Sequence, residues 1–243
     1  MVNSFLKILR KNLITTALIV IILALSIYSY NITTEKSNYD NYTSEILYND
    51  TLKLASTIAI NDYYLNRIVD EGEITQEQIV ILQENYQVMH ESGDTVVDLA
   101  VQWLDRLDKQ EMSYSYNNSP FPTFMAYEFA RYIENDLSDS AKSNDVRVLT
   151  QNEHSKLELM NDINKEWKEA VFNHIEGLDA DRIDEEYLNN RSVNSDQTWT
   201  GITTPEYPHY YLNKMVKTDD WLDMVEAMQK ASIGYEPEVV NTF

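Results

Sequence analysis

Apolar residues along this chain follow two patterns in succession, an unbroken run near the N-terminus and then stripes at helical spacing. The run extends from Leu13 to Tyr28, and residues 12–34 carry no charge. At about 1.5 Å per residue this uncharged stretch makes about 34 Å of helix, longer than the roughly 30 Å hydrocarbon core of a bilayer. It is apolar on every side and not along one face, so it predicts a membrane-spanning helix over residues 12–30 and not a core helix. Tyr28 and Tyr30 stand where an interfacial aromatic belt lies.

The stripes predict a helical bundle. Leu47, Thr51, Leu54, Ile58, Asn61, Leu65 and Ile68 alternate steps of four and three, the spacing of a coiled-coil-like seam, on a helix from about Ser37 to Val69. Asp70-Glu71-Gly72-Glu73 ends it. A second helix starts at a capping box, Thr75 with Gln78, flanked by Ile74 and Ile79 as a hydrophobic staple. Its seam reads Ile79, Leu82, Tyr86, Met89, Gly93, Val96, Ala100, Trp103 and Leu107. The short connection makes these two an antiparallel hairpin. A shorter helix follows over Thr123–Leu137, with Phe124, Met125, Phe129, Tyr132 and Ile133 inward. Another spans about Val146–Glu176, with Leu157, Met160, Asn164, Trp167, Val171, His174 and Leu178 on its seam and Gly177 as its stop. A short helix near Ile183–Asn189, a long ordered loop over Gln197–Tyr211 and a last helix complete the chain. That last helix starts at Thr218, turns Trp221, Leu222, Val225 and Met228 inward, and is closed by Gly234 and Pro237. The expected fold is all-α: one N-terminal transmembrane helix, then an antiparallel bundle of four or five helices.

Charge fixes an orientation for that arrangement. Lys7, Arg10 and Lys11 precede the run, which by the positive-inside bias keeps residues 1–11 in the cytoplasm and sends residues 31–243 outside. The rival is a signal peptide cleaved near Ala24-Leu25-Ser26; the run continues past that site through Ile27 and Tyr28, which favours an uncleaved anchor. The chain has 19 Lys+Arg against 40 Asp+Glu, a net charge of −21. Residues 1–30 contribute +3, so residues 31–243 carry −24. Such a body repels phosphate, so nucleic acid is excluded as a partner. Cys is absent. This excludes disulfides, thiol chemistry and Cys-zinc sites, and points to an envelope that does not rely on disulfides, a bacterial one. The sequons at Asn31, Asn41, Asn49, Asn117 and Asn190 are then chance matches; in a eukaryotic host they become glycan sites.

Candidate chemistry is sparse. Asn61, Asn164 and His174 are candidates for a polar core, either a pocket or register-setting polar residues of the kind coiled-coil packing uses. Trp199, Tyr207, His209, Tyr210 and Tyr211 form a candidate interaction surface, since aromatic loops on rigid scaffolds make contacts. The competing reading is a loop that packs its aromatics onto the bundle end. Glu206 and His209 make a Glu-x-x-His with Pro208 inside it, read as a coincidence in a loop. Asp179, Asp181, Asp184, Glu185 and Glu186 fail the calcium-loop pattern, because Asp184 stands where Gly is required. No metalloprotease motif or nucleophile elbow occurs. No catalytic residue, cofactor or metal is expected. No motif ties the chain to a family, although the outline resembles the extracytoplasmic helical bundles of bacterial sensor proteins. The expected partners are the lipid bilayer, through residues 12–30, and an envelope or membrane protein. The expected role is that of a non-enzymatic binding, sensing or accessory component; the alternative is a hydrolase of envelope polymers with a carboxylate site.

Overall fold

The computed structural model describes residues 2–109, 112, 121–138, 146–183, 187–188 and 201–243, with side chains from residue 15 onward apart from 16 and 121. The chain divides into two compact units, Met1–Thr43 and Ser44–Phe243. Helix α1 (Val2–Glu71) runs through both. The apolar run and the first seam therefore belong to one element, and the first 71 positions contain neither Gly nor Pro to interrupt it. The helix ends where Gly72 takes a left-handed conformation, φ 67°, and its N–H bonds back to the Ile68 carbonyl at 2.9 Å.

In the first unit the side chains from Leu18 to Ile27 lie on the surface, most of them more than half exposed. This is the one described helix long and apolar enough to cross a membrane. Its few polar groups are turned inward on the helix: the Ser26 hydroxyl donates to the Ile22 carbonyl at 2.8 Å, and Thr33 to Ser29 at 2.8 Å.

In the second unit the seam residues Leu47, Thr51, Leu54, Ile58, Asn61, Leu65 and Ile68 are all buried. A two-residue strand β1 (Glu73–Ile74) leads into α2 (Gln76–Asp98), whose Thr75–Gln78 capping box is formed. The two helices are antiparallel, with Ser92 bonded to Asp50 at 3.3 Å and Asn85 to Asn61 at 2.8 Å. The chain continues through α3 (Phe121–Tyr132), β2 (Arg147–Val148), α4 (Gln151–His174), the short α5 (Glu206–Tyr211) and α6 (Asp220–Thr242). β2 pairs antiparallel with β1 and ties the start of α4 to the turn between α1 and α2.

Contacts run in a ring. α1 meets α4 through Asn161–Asn66 (3.0 Å) and Lys168–Asp62 (2.6 Å), α4 meets α6 through Trp167–Ser232 (2.8 Å), and α6 meets α3 through the Phe243 and Phe129 rings (5.1 Å). α3 closes on α2 through Phe129 and Tyr86 (5.3 Å). An odd number of helices cannot be antiparallel all round, and here α3 and α6 are the parallel neighbours. Trp167, Tyr86 and Phe129 fill the middle and are buried.

Several expected boundaries are corrected. The second seam holds through Ala100 but not at Trp103, which is 70% exposed. Residues Leu99–Trp103 form a π turn. Its extra residue per turn rotates Trp103 out of the seam and puts Val101 in. The third long helix begins at Gln151 and not Val146, because Thr150 and Glu153 make a second capping box and Arg147–Val148 are strand. It ends at His174; Gly177, at φ 78°, serves instead the close approach of the Tyr207 backbone, whose nitrogen would stand 2.5 Å from an added Cβ. Gly234 and Pro237 do not close the last helix, which runs on to Thr242 with Pro237 inside it. Buried Val239 and the Phe243 ring, packed on Phe129 and Tyr132, hold the last turns despite the missing N–H. The expected short helix near Ile183–Asn189 lies largely outside the described residues.

Candidate functional site

The polar seam residues separate. Asn61 and Asn164 are buried completely. Asn61 accepts from Asn85 at 2.8 Å and points its own N–H at the Met89 sulfur, 3.4 Å away. Asn164 donates to the Ile58 carbonyl at 3.0 Å, while its side-chain oxygen has no partner. His174 is only half buried, at the last position of α4. The two Asn link different pairs of helices, Asn61 joining α1 to α2 and Asn164 joining α4 to α1. Tyr86, which the sequence reading treated as packing, adds a buried hydroxyl without a partner, and burial pushes its phenol well above the ordinary value.

The aromatic segment packs by turns inward and outward. Its expected loop is a helix over Glu206–Tyr211, with Pro208 in the first turn, where a missing N–H costs nothing. Tyr207 and Tyr211 are buried. The Tyr207 hydroxyl donates to the Tyr48 carbonyl at 2.9 Å, and the two rings lie 4.8 Å apart. Burial, with the neighbouring Tyr48 and Tyr211, raises the Tyr207 phenol. Tyr211 donates to Asp220 at 2.7 Å and accepts from the Glu176 N–H at 2.9 Å, joining the end of α4 to the start of α6. Only His209 and Tyr210 of the described members face solvent. Trp199 lies outside the described residues.

Several carboxylates of the second unit serve in holding it together. Glu128, almost fully buried, is paired with Arg131. Asp62 holds Lys168, and Glu153 holds Arg147 at 2.8 Å. Asp179 caps a short 3-10 turn by accepting from the Asp181 N–H at 3.1 Å; Asp184, Glu185 and Glu186 are outside the described residues. Among the described residues no three His, Asp or Glu side chains converge as a metal site would need.

One cleft opens beside the end of α2. It is lined by Leu107 and Met112, both buried, with Asp108, Glu226, Gln229, Lys230 and Ile233, around a volume of about 260 Å³. Sequence reasoning missed it, because its walls come from positions more than 100 residues apart. Compared with protein-family models, curated proteins and solved structures, this chain matches none of them.

Proposed function

We propose that this chain is a single-span protein of a bacterial envelope, with residues 1–11 in the cytoplasm and residues 31–243 outside as a non-enzymatic binding, sensing or accessory body. The observation that carries the reading is the exposed apolar stretch of α1, which no water-facing helix would tolerate at that length. Lys7, Arg10 and Lys11 on its N-terminal side supply the orientation. A binding role is favoured over hydrolysis because the least exposed carboxylates, Glu128, Asp62 and Glu153, already serve ion pairs or a helix cap. External protease on intact, wall-stripped cells tests the topology: the body should be removed and a short membrane-held stub should remain. A body protected from protease, or a shortened soluble form in the medium of undamaged cells, would overturn it. Degradation of cell-wall material by the purified chain, abolished by a single Asp or Glu substitution that leaves it folded, would establish the hydrolase instead.

A further inference from the structure

The first unit carries an apolar stripe past the end of its membrane-length run. Between Asn31 and Thr43 the exposed large apolar side chains of α1 are Ile32, Tyr39 and Tyr42. An α-helix turns about 100° per residue, so these three and Tyr28 lie within about 80° of one another. Thr33, Thr34, Ser37 and Asn41 fill the other faces. Tyr30 alone of the exposed aromatics here points the opposite way. Among the described residues, no helix of the second unit shows more than two exposed large apolar side chains.

Neither the chain nor lipid covers this stripe. Tyr39 is 50% and Tyr42 65% exposed. Along the helix they stand about 14 and 18 Å beyond residue 30, where the span ends. The headgroup layer adds only about 5–8 Å on each side of the hydrocarbon core, and a tilt of about 20° still carries both rings past it. The spacing says what fits there. Tyr28, Ile32, Glu35, Tyr39 and Tyr42 alternate steps of four and three, with Ile32 and Tyr39 at a positions and the other three at d. Glu35 is the one charge on this seam, and Lys36 follows it at the flanking e position.

We propose that the stripe pairs with the same stripe of a second copy, as a short parallel coiled coil in register just outside the membrane. The inference rests on the single-span reading above, which sets both copies in one membrane with one orientation and so makes their helices parallel. In register, Glu35 of one copy lies against Lys36 of the other, and the match repeats by two-fold symmetry. A second copy therefore supplies both the apolar surface and the counter-charge that the seam needs. A shift of one heptad would set Glu35 against Tyr28 or Tyr42 and lose that pairing, so the charge fixes the register. The apolar run below extends the same steps through Leu25, Ile21 and Leu18, although there every face is apolar.

The chain has no Cys, so single-cysteine variants report contacts without background. The test uses the full chain in lipid vesicles at about 0.15 M salt, where a Debye length of about 8 Å screens the acidic bodies from each other. Under mild copper-phenanthroline oxidation, Ile32→Cys, Tyr39→Cys and Tyr42→Cys should give disulfide-linked dimers. Their yield should exceed that of Thr34→Cys and Asn41→Cys, on the opposite face, by roughly five-fold or more. Glu35→Lys or Lys36→Glu should each cut the Tyr42→Cys dimer several-fold, and the two together should restore it. Circular dichroism melts confirm that each variant keeps a folded body. Equal yields on both faces would show random collision and overturn the proposal, as would no dimer or a charge swap that fails to restore it. Cross-linking in expressing cells to a product of another size, in place of the dimer, would give the stripe to a different protein and also overturn it. None of these outcomes changes what external protease removes, so the two readings fail separately.

Discussion

Two glycines inside helices behave oppositely for a reason visible only in three dimensions. Gly costs about 1 kcal/mol relative to Ala in a helix, so each position needs an explanation. A Cβ on Gly93 would stand 2.7 Å from Thr123 Cγ2, where α2 and α3 cross. Thr123 is buried and β-branched, so its methyl cannot swing away cheaply. Overpacking of about 1–3 kcal/mol then outweighs the helix gain, and Gly93→Ala should destabilise the protein by up to about 2 kcal/mol. Adding Thr123→Ser, which deletes that methyl, should recover most of the loss. Around Gly234 there is nothing within 4 Å, so Gly234→Ala should stabilise by up to about 1 kcal/mol. Urea unfolding of the three variants checks the signs; a stabilised Gly93→Ala would mean that the crossing is looser than 2.7 Å implies. The spacing of residues put Gly93 on the right seam, but which atom it meets depended on α3. Likewise Asn61 and Asn164 were legible as buried from their period, whereas His174 was not, because its helix stops there.

Elements were legible where local chemistry and tertiary packing agree. The α1 seam and the α2 capping box needed only spacing and hydrogen-bond donors, and both formed. The start of α4 was placed too early, at Val146, because the Thr150–Glu153 capping box went unread; Arg147–Val148 are strand, and the helix starts at Gln151. In that box Glu153 accepts from the Thr150 N–H at 2.8 Å and from Arg147 at 2.8 and 3.0 Å. Burial pulls its carboxyl upward, but the Arg147 guanidinium and the Thr150 donors outweigh burial and hold it below the usual 4.5. A depressed folded value means stability that is complete above about 4.5 and lost as pH falls through the lowered value. Glu153→Gln retains an acceptor for Thr150 but no charge for Arg147. Its melting temperature should lie below that of the parent at pH 7, and the gap should close as pH falls below 4.5 through the lowered value. A gap constant over that range would place the loss in packing and not in the ion pair. The π turn of α2 and the run of α6 past Pro237 were illegible for a common reason: each departs from local preference and is held by contacts with other helices.

At the scale of the second unit, the ring of five helices carries the net charge of −23 of residues 44–243 on a body whose apolar side chains are mostly used internally. The all-α class followed from periodicity, and the long apolar N-terminal helix from its unbroken run. The ring order did not, because which seams face each other is decided by side-chain volume across the core, not along the chain. The charge itself has a consequence for stability. Unfolding moves like charges apart, so self-repulsion favours the unfolded chain, and mobile ions weaken that repulsion over a Debye length of about 10 Å at 0.1 M. The few cations are consumed locally, as in Arg106–Asp219 and Lys168–Asp62, and salt will weaken these pairs too. Exposed pairs are worth about 0–1 kcal/mol each. With twice as many acids as bases, the repulsive majority wins. Raising sodium chloride from 20 to 300 mM should therefore raise the melting temperature of the full chain in a nonionic detergent. The gain should be largest at low salt and level off as screening saturates. Calcium chloride at equal ionic strength should do about the same. A much larger calcium effect would locate a specific cation site among the acids, and a fall in melting temperature with sodium chloride would mean that the ion pairs, and not the excess charge, dominate the electrostatics of the fold.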